Sequence, residues 1–368
     1  MQAACSLISP DRSEIQHHLV RAALLFVLAL PFLAGCGGSR PSPPASKPEV
    51  TPAAATASLG LGDVRFLLGR SSIIDSVTLS GQETNLLTLA GNVNVLDLAI
   101  SVDRRQLAFV VELAAYTNND GEIDFGADLF VSDAGGGNAR RVLKHDNTGD
   151  YFEAPAWLND TTLLFGSRGL DPATGAGFSR IERVDLTSGS REVVLRDAAM
   201  GALSPDRSSI VYTAIDPQTR VQHLVIEDIA TDDEPRVLVD EDDQLALFSG
   251  ASFSPDGTQI AFAAVDLSSS SRPQESPATP GARRTHNVAL ATTHPFAEDV
   301  WLVNVDGSDL RRLGDLAENM PSITWTGDGR HIYALGPAFL WRIDPMTGEA
   351  EMIRQSGRRG SIIWLEGN

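Results

Sequence analysis

The chain has 368 residues, 42% of them apolar, and a formal charge of −19. That apolar share supports a sizeable core, and the length suits two ordinary domains or one all-β repeat array. A body this acidic repels phosphate backbones and anionic headgroups, which argues against nucleic acid as a partner.

Arg21 opens an apolar run over residues 22–33. A basic residue before a short apolar stretch has the form of a secretory signal and is too short to span a bilayer. The run ends Leu33-Ala34-Gly35-Cys36. This resembles the lipobox of bacterial lipoproteins: a branched apolar residue, two small residues that fit the peptidase, then the acylated cysteine. The resemblance implies cleavage after Gly35 and a lipid-carrying Cys36 as the first mature residue. Two or more acyl chains make such an anchor stable, at about 0.8 kcal/mol per buried CH₂. Gly37 stands where an Asp would hold the protein at the inner membrane, so the implied location is the outer membrane, facing the periplasm. Asp11 and Glu14 are unusual in a signal's basic region; translation starting at Val20 would give a compact signal. Cys5 leaves with residues 1–35, so Cys36 remains alone and no internal disulfide is expected. Residues 36–59 carry Pro41, Pro43, Pro44, Pro48 and Pro52 among Ser, Ala and Thr. They read as an extended tether that buries nothing. At ~3.1 Å per residue it could hold the body roughly 50 Å from the membrane.

Residues 60–368 repeat one pattern: an apolar strand, a turn containing Asp, and a second strand with an aromatic. The pairs are Asp103 with Phe109, Asp160 with Phe165, Asp206 with Tyr212, Asp256 with Phe262, and Asp328 with Tyr333. The Asp spacings are 57, 46, 50 and 72 residues, the scale of a propeller blade with loop insertions. Third strands end at Asp133, Asp185, Asp228, Asn304 and Asp344, and short fourth strands follow. Four short strands joined by tight turns predict one antiparallel blade. A sixth blade is predicted across the termini: residues 362–365 supply its first strand and residues 64–68 its second. The expected fold is therefore an all-β, six-bladed β-propeller of four-stranded antiparallel blades. It closes by pairing the terminal strands, which removes free edges and accounts for the chain stopping at Asn368.

Two segments carry a family resemblance: Ser254-Pro-Asp-Gly-Thr-Gln-Ile-Ala-Phe262, and the run from Val300 to Leu313 that contains Asp306-Gly307. They resemble the TolB-type propeller repeat, which is related to the WD-like repeats, over about residues 60–368. TolB-type proteins carry an α/β domain before the propeller; here the tether occupies that place.

The repeated aspartates are expected to bond their own turn amides. Trp157, Trp325 and Trp364 share one aligned position with Ile100, Leu203 and Phe253, which predicts packing between sheets rather than a sugar platform. The preceding position is small in most blades, at Ala99, Ala156, Ala202, Ser252 and Thr324, as a crowded centre requires. Asp97 is the only charge expected near the innermost strands. Propeller peptidases carry a hydrolase domain and a Gly-x-Ser-x-Gly elbow, absent from this sequence. The metal-binding histidines of propeller polysaccharide lyases have no counterpart in the scattered His145, His223, His286, His294 and His331. No catalytic residues are assigned, and a carbohydrate-active or hydrolytic enzyme with a loop-borne site is the alternative to a binding scaffold.

Asn118, Asp120, Glu122 and Asp124, with Asp128, resemble a calcium loop that lacks two ligands, including the bidentate carboxylate; a solvated acidic turn is the simpler reading. Apart from calcium no cofactor is expected. Long connections are predicted at residues 113–127, 144–153, 240–249 and 266–298, all at the end of the strands opposite the tether. Irregular loops on a rigid scaffold are where binding usually resides. Several are acidic, through Asp120, Glu122, Asp124, Asp146, Asp150, Glu153, Asp240, Asp242 and Asp243. Asp240, Asp242 and Asp243 are the candidate contacts for a cation or a basic partner, although the run 240–243 also reads as a solvated loop. The expected partners are the membrane, through the lipid, and an envelope protein or small ligand. The chain is expected to be a monomer.

Overall fold

The structure, a computed structural model, describes residues 64–78, 82–117, 121–231, 233–268, 297–355 and 360–365. The signal residues Leu33, Ala34 and Gly35, Cys36, the tether, Asn118, Asp120 and most of the 266–298 connection lie outside these. The chain divides into two compact units. One holds residues 44–215 and 222–368 and contains every described strand; of the other, only the turn Asp216–Val221 is described.

Four strands in sequence make each antiparallel group. Group one is β4 (Val93–Ile100), β5 (Gln106–Thr117), β6 (Ile123–Asp133) and β7 (Arg140–Leu143). Group two is β8 (Tyr151–Asn159), β9 (Thr162–Leu170), β10 (Gly177–Asp185) and β11 (Arg191–Arg196). Group three is β12 (Ala198–Leu203), β13 (Ser209–Ile215), β14 (Gln222–Asp228) and β15 (Arg236–Val239). Group four is β16 (Leu245–Phe253), β17 (Gln259–Asp266), β18 (Glu298–Asn304) and β19 (Arg311–Glu318). Group five is β20 (Ser322–Trp325), β21 (Ile332–Leu335), β22 (Phe339–Ile343) and β23 (Ala350–Gln355). The remaining sheet joins β24 (Gly360–Trp364) to β1 (Val64–Arg70), β2 (Ile73–Thr78) and β3 (Glu83–Thr88). Groups one and two touch through the single parallel bridge Ala127–Tyr151. The predicted pairing of the two ends is present: Phe66 lies opposite Trp364, and Leu68 opposite Ile362.

Second strands are apolar on both faces because each is buried on both. On β5, Leu107, Phe109 and Val111 pack toward β1–β3, while Ala108 and Val110 pack against Phe152, Trp157 and Phe165 of group two. On β13, Val211 faces group four and Ile210 with Tyr212 faces group two. On β21, Ile332 and Ala334 face group four, while Tyr333 and Leu335 face Phe66, Leu68 and Ile362. Every apolar cluster is thus shared by two neighbouring groups, and the terminal sheet shares one with group five and one with group one. Each fully buried large side chain contributes about 1.5–3 kcal/mol.

The tryptophans perform the expected packing. Trp157 is 1% exposed, and its indole Nε1 donates to the Ala99 carbonyl of the preceding group at 3.2 Å. Trp325 donates likewise to Ser252 at 3.1 Å. Trp364 meets Phe66 edge to face at 4.8 Å.

The Asp turns repeat one hydrogen-bond set. Ser204, Ser254 and Thr326 each donate a hydroxyl to the Asp two residues on, at 2.6 Å, and Ser101 does so at 2.7 Å. The same hydroxyls accept the amides of Gln106, Ser209, Gln259 and His331. Each Asp accepts a further turn amide. Group two departs from the pattern: Asn159 accepts the Thr161 amide, and Asp160 instead accepts the Asp103 amide of group one.

Residues 113–127, expected as a long loop, are mostly hairpin. Tyr116 pairs with Asp124 and Thr117 with Ile123, so only residues 118–122 connect the strands. The strands run on because Leu113 and Tyr116 find buried places in the core beside β1–β3.

Candidate functional site

The first strands of all these sheets meet at one cavity of about 320 Å³. Its wall includes residues 96–100 of β4, 152–157 of β8, 201–203 of β12, 249–251 of β16, 320–324 at β20 and 360–364 of β24. A first strand has no strand partner on its cavity side, so its outward amides need acceptors. Side chains from the neighbouring first strand supply them. Ser361 accepts the Leu98 amide at 3.1 Å and Asp97 accepts the Ala154 amide at 2.9 Å. Ser322 and Thr324 accept the amides of Ile362 and Trp364 at 3.1 and 3.0 Å.

Asp97 is not the cavity's only charge, as the sequence led us to expect. Glu153, Arg168 and Arg207 also line it. Glu153 is buried and accepts from Arg168 Nε at 2.8 Å, and the guanidinium lies 4.7 Å from the Tyr151 ring centre. The second Glu153 oxygen is buried without a partner among the described residues. Arg207 is half-buried and its guanidinium has no partner among the described residues; burial draws its pKa below the ordinary value. Glu153 and Arg168 face each other only through the β8–β9 pairing, a long-range fact that strand patterning does not reveal. The sequence does carry a signal for Arg207, because it occupies the turn position filled by Gly257 and Gly329 elsewhere.

A second polar cluster lies at the far end of group one. His145 is buried between two carboxylates, with Nδ1 2.6 Å from Asp128 and Nε2 2.8 Å from Asp124. Arg141 donates to Asp128 at 2.9 Å, and Lys144 and the Tyr116 hydroxyl donate to Asp124 at 3.0 and 2.9 Å. Burial alone would lower the imidazole pKa, but the hydrogen bonds and charges of Asp128 and Asp124 outweigh it and hold it above the ordinary value. Burial would raise Asp128, yet bonds from His145 and Arg141 keep it below its usual range, and Asp124 is lowered in the same way.

Of the predicted calcium ligands that are described, Asp124 and Asp128 therefore point onto His145, and Glu122 is exposed on the connection. Among the described residues no group of three or more His, Cys, Asp or Glu side chains is arranged to hold a metal ion. Asp242 and Asp243 are exposed and Asp240 is half-exposed. They close their own turn: Asp240 accepts the Asp242 amide at 2.8 Å, and Asp243 accepts the Asp240 amide at 3.0 Å. The other loop acids are largely engaged. Asp146 pairs with Arg191 at 2.9 Å, Asp150 accepts from Asn147 at 2.9 Å, and Glu153 holds Arg168.

No protein-family description matches the chain, and no curated protein matches it. Solved structures do. The TolB of Acinetobacter baumannii is 12% identical, over 83% of this chain and 67% of that one, with a TM-score of 0.55. A protein called TolB from Agrobacterium tumefaciens is 16% identical, over 83% of this chain and 99% of that one, at 0.46. An oligogalacturonate lyase from Vibrio parahaemolyticus is 10% identical, over 80% of this chain and 88% of that one, at 0.39. The fold is that of a TolB-like β-propeller.

Proposed function

We propose that this chain is a lipid-anchored binding scaffold of the bacterial cell envelope, built on a closed ring of six four-stranded blades. The observation that carries this reading is the cavity walled by every first strand, where Ser361, Asp97, Ser322 and Thr324 each cap a backbone amide of the neighbouring first strand. Such a centre holds the first strands in place, and a rigid frame of this kind presents its cavity and its loops for binding. The six shared apolar clusters, including those on both sides of the terminal sheet, support the ring. The lipobox-like residues Leu33 to Cys36 support the anchor, and Gly37 supports the outer membrane. Val64 of β1 and Trp364 of β24 lie at the Asp-turn end of the terminal sheet, which supports a reading in which the loops at the opposite end point away from the membrane. There Asp240, Asp242 and Asp243 offer negative charge to a basic partner or cation.

The test uses the full chain in its own envelope. Labelled palmitate is expected in the wild type and not in Cys36→Ser, which stays as precursor or leaves the membrane; label in the mutant contradicts the anchor. Capture followed by mass spectrometry is expected to return an envelope partner, and Asp240→Asn with Asp242→Asn and Asp243→Asn to weaken it without unfolding. Turnover in a glycan and peptide panel would replace the scaffold by an enzyme.

A further inference from the structure

The Asp turns after β12 and β16 are near copies, Ser204-Pro-Asp-Arg-Ser-Ser209 and Ser254-Pro-Asp-Gly-Thr-Gln259, with the same internal hydrogen bonds. They differ where the backbone turns left-handed: φ is +65° at Arg207, +72° at Gly257 and +68° at Gly329 of group five. Glycine takes that conformation without steric penalty and arginine does not. Arg104 shares it in group one at +60°, but has an interaction of its own and is not part of the cavity wall. Arg207 thus keeps a strained position on the cavity, half-buried, in a chain of charge −19 that has carboxylates to spare. Other non-glycine residues also take left-handed φ; what sets Arg207 apart among the described residues is an unpaired guanidinium on the cavity.

The charges around the cavity define what Arg207 would accept. Asp97 is engaged by the Ala154 amide and Glu153 by Arg168. The two arginines and two carboxylates balance in total, but Arg207 has no ion-pair partner among the described residues while Arg168 is paired with Glu153, and the two carboxylates disfavour a second negative charge on a ligand. Leu203, Ile323 and Ile363 add apolar patches to a wall that is otherwise partly polar, and a volume near 320 Å³ is at the lower end for small-molecule pockets. We propose that the cavity binds a small organic monocarboxylate with an apolar body, its carboxylate paired with the Arg207 guanidinium. A guanidinium matches a carboxylate with two parallel hydrogen bonds. The proposal deepens the binding reading by naming a ligand class.

Calorimetry on the detergent-purified full chain tests it, with 4-methylpentanoate and phenylacetate as probes, and 4-methylpentanamide and inorganic phosphate as controls. The carboxylates are expected to saturate at millimolar concentration or below, with the amide and phosphate at least about tenfold weaker. Arg207→Gly is expected to weaken the carboxylates by at least about tenfold and to melt no lower than the wild type, because glycine suits the backbone. Equal binding of the amide, preference for phosphate, absence of saturable heat from either carboxylate, or an unaffected glycine variant would each overturn the proposal. Calorimetry needs neither acylation nor a protein partner, so failure here leaves the scaffold reading standing, and failed capture leaves the cavity result untouched.

Discussion

His145 sits with a carboxylate on each ring nitrogen, and at 2.6 and 2.8 Å from them it is best satisfied as the imidazolium. Its folded pKa is raised, above the ~6.5 of an unfolded chain. Its contribution to stability is therefore complete below about pH 6.5 and is lost as pH rises through the raised value. Asp124 and Asp128 are lowered, so theirs is present above about pH 4 and lost as pH falls through the lowered values. Between those limits the cluster stabilises most. We expect the His145 ring to remain protonated, by NMR titration, beyond the ordinary histidine range, and the melting temperature to fall as the ring deprotonates. A ring that titrates at or below about 6.5 contradicts this. Asp124 and Asp128 share a strand face because they are four residues apart on β6. That much is legible in sequence. Their partner is 17 residues beyond Asp128 and reaches them only once β7 has folded back, which local spacing does not reveal.

The Asp turn shows the opposite case. Its bonds join residues two and five apart, so the repeat could be recognised and assigned to structure from sequence alone. Ser254 is buried, donates to Asp256 at 2.6 Å and accepts the Gln259 amide at 2.9 Å. Ser254→Ala removes both and leaves an amide to find another acceptor, so urea denaturation should show a loss of about 1–3 kcal/mol. A midpoint equal to the wild type's would mean that the turn is held by backbone bonds alone. The strands are less evenly legible in the sequence. The strands with two buried faces stood out as apolar runs, whereas the extension of β5 and β6 past Leu113 did not, because Ala114, Ala115 and the acids after Gly121 blur the alternation.

At the scale of the whole molecule, the termini decide whether the sheets close on one another. β24 places Ile362 in the apolar cluster between group five and the terminal sheet, sets Trp364 against Phe66 and Tyr333, and lends Ser361 to the Leu98 amide. Losing the buried Ile362 alone forfeits about 1.5–3 kcal/mol, before the half-buried Trp364 and the open edge of β1 are counted, against a total stability of about 5–15 kcal/mol for an ordinary domain. The split of one sheet between the two ends could be foreseen because each end supplies a different part of one repeat. The charges gathered at the cavity could not, because Glu153, Arg168 and Arg207 come from three separate strands and turns. The most direct measurement of the central claim, a closed scaffold, is thermal melting of the chain lacking residues 361–368. The account predicts a melting temperature well below that of the full chain, with newly exposed strand edges that promote association; an unchanged melting temperature would contradict it.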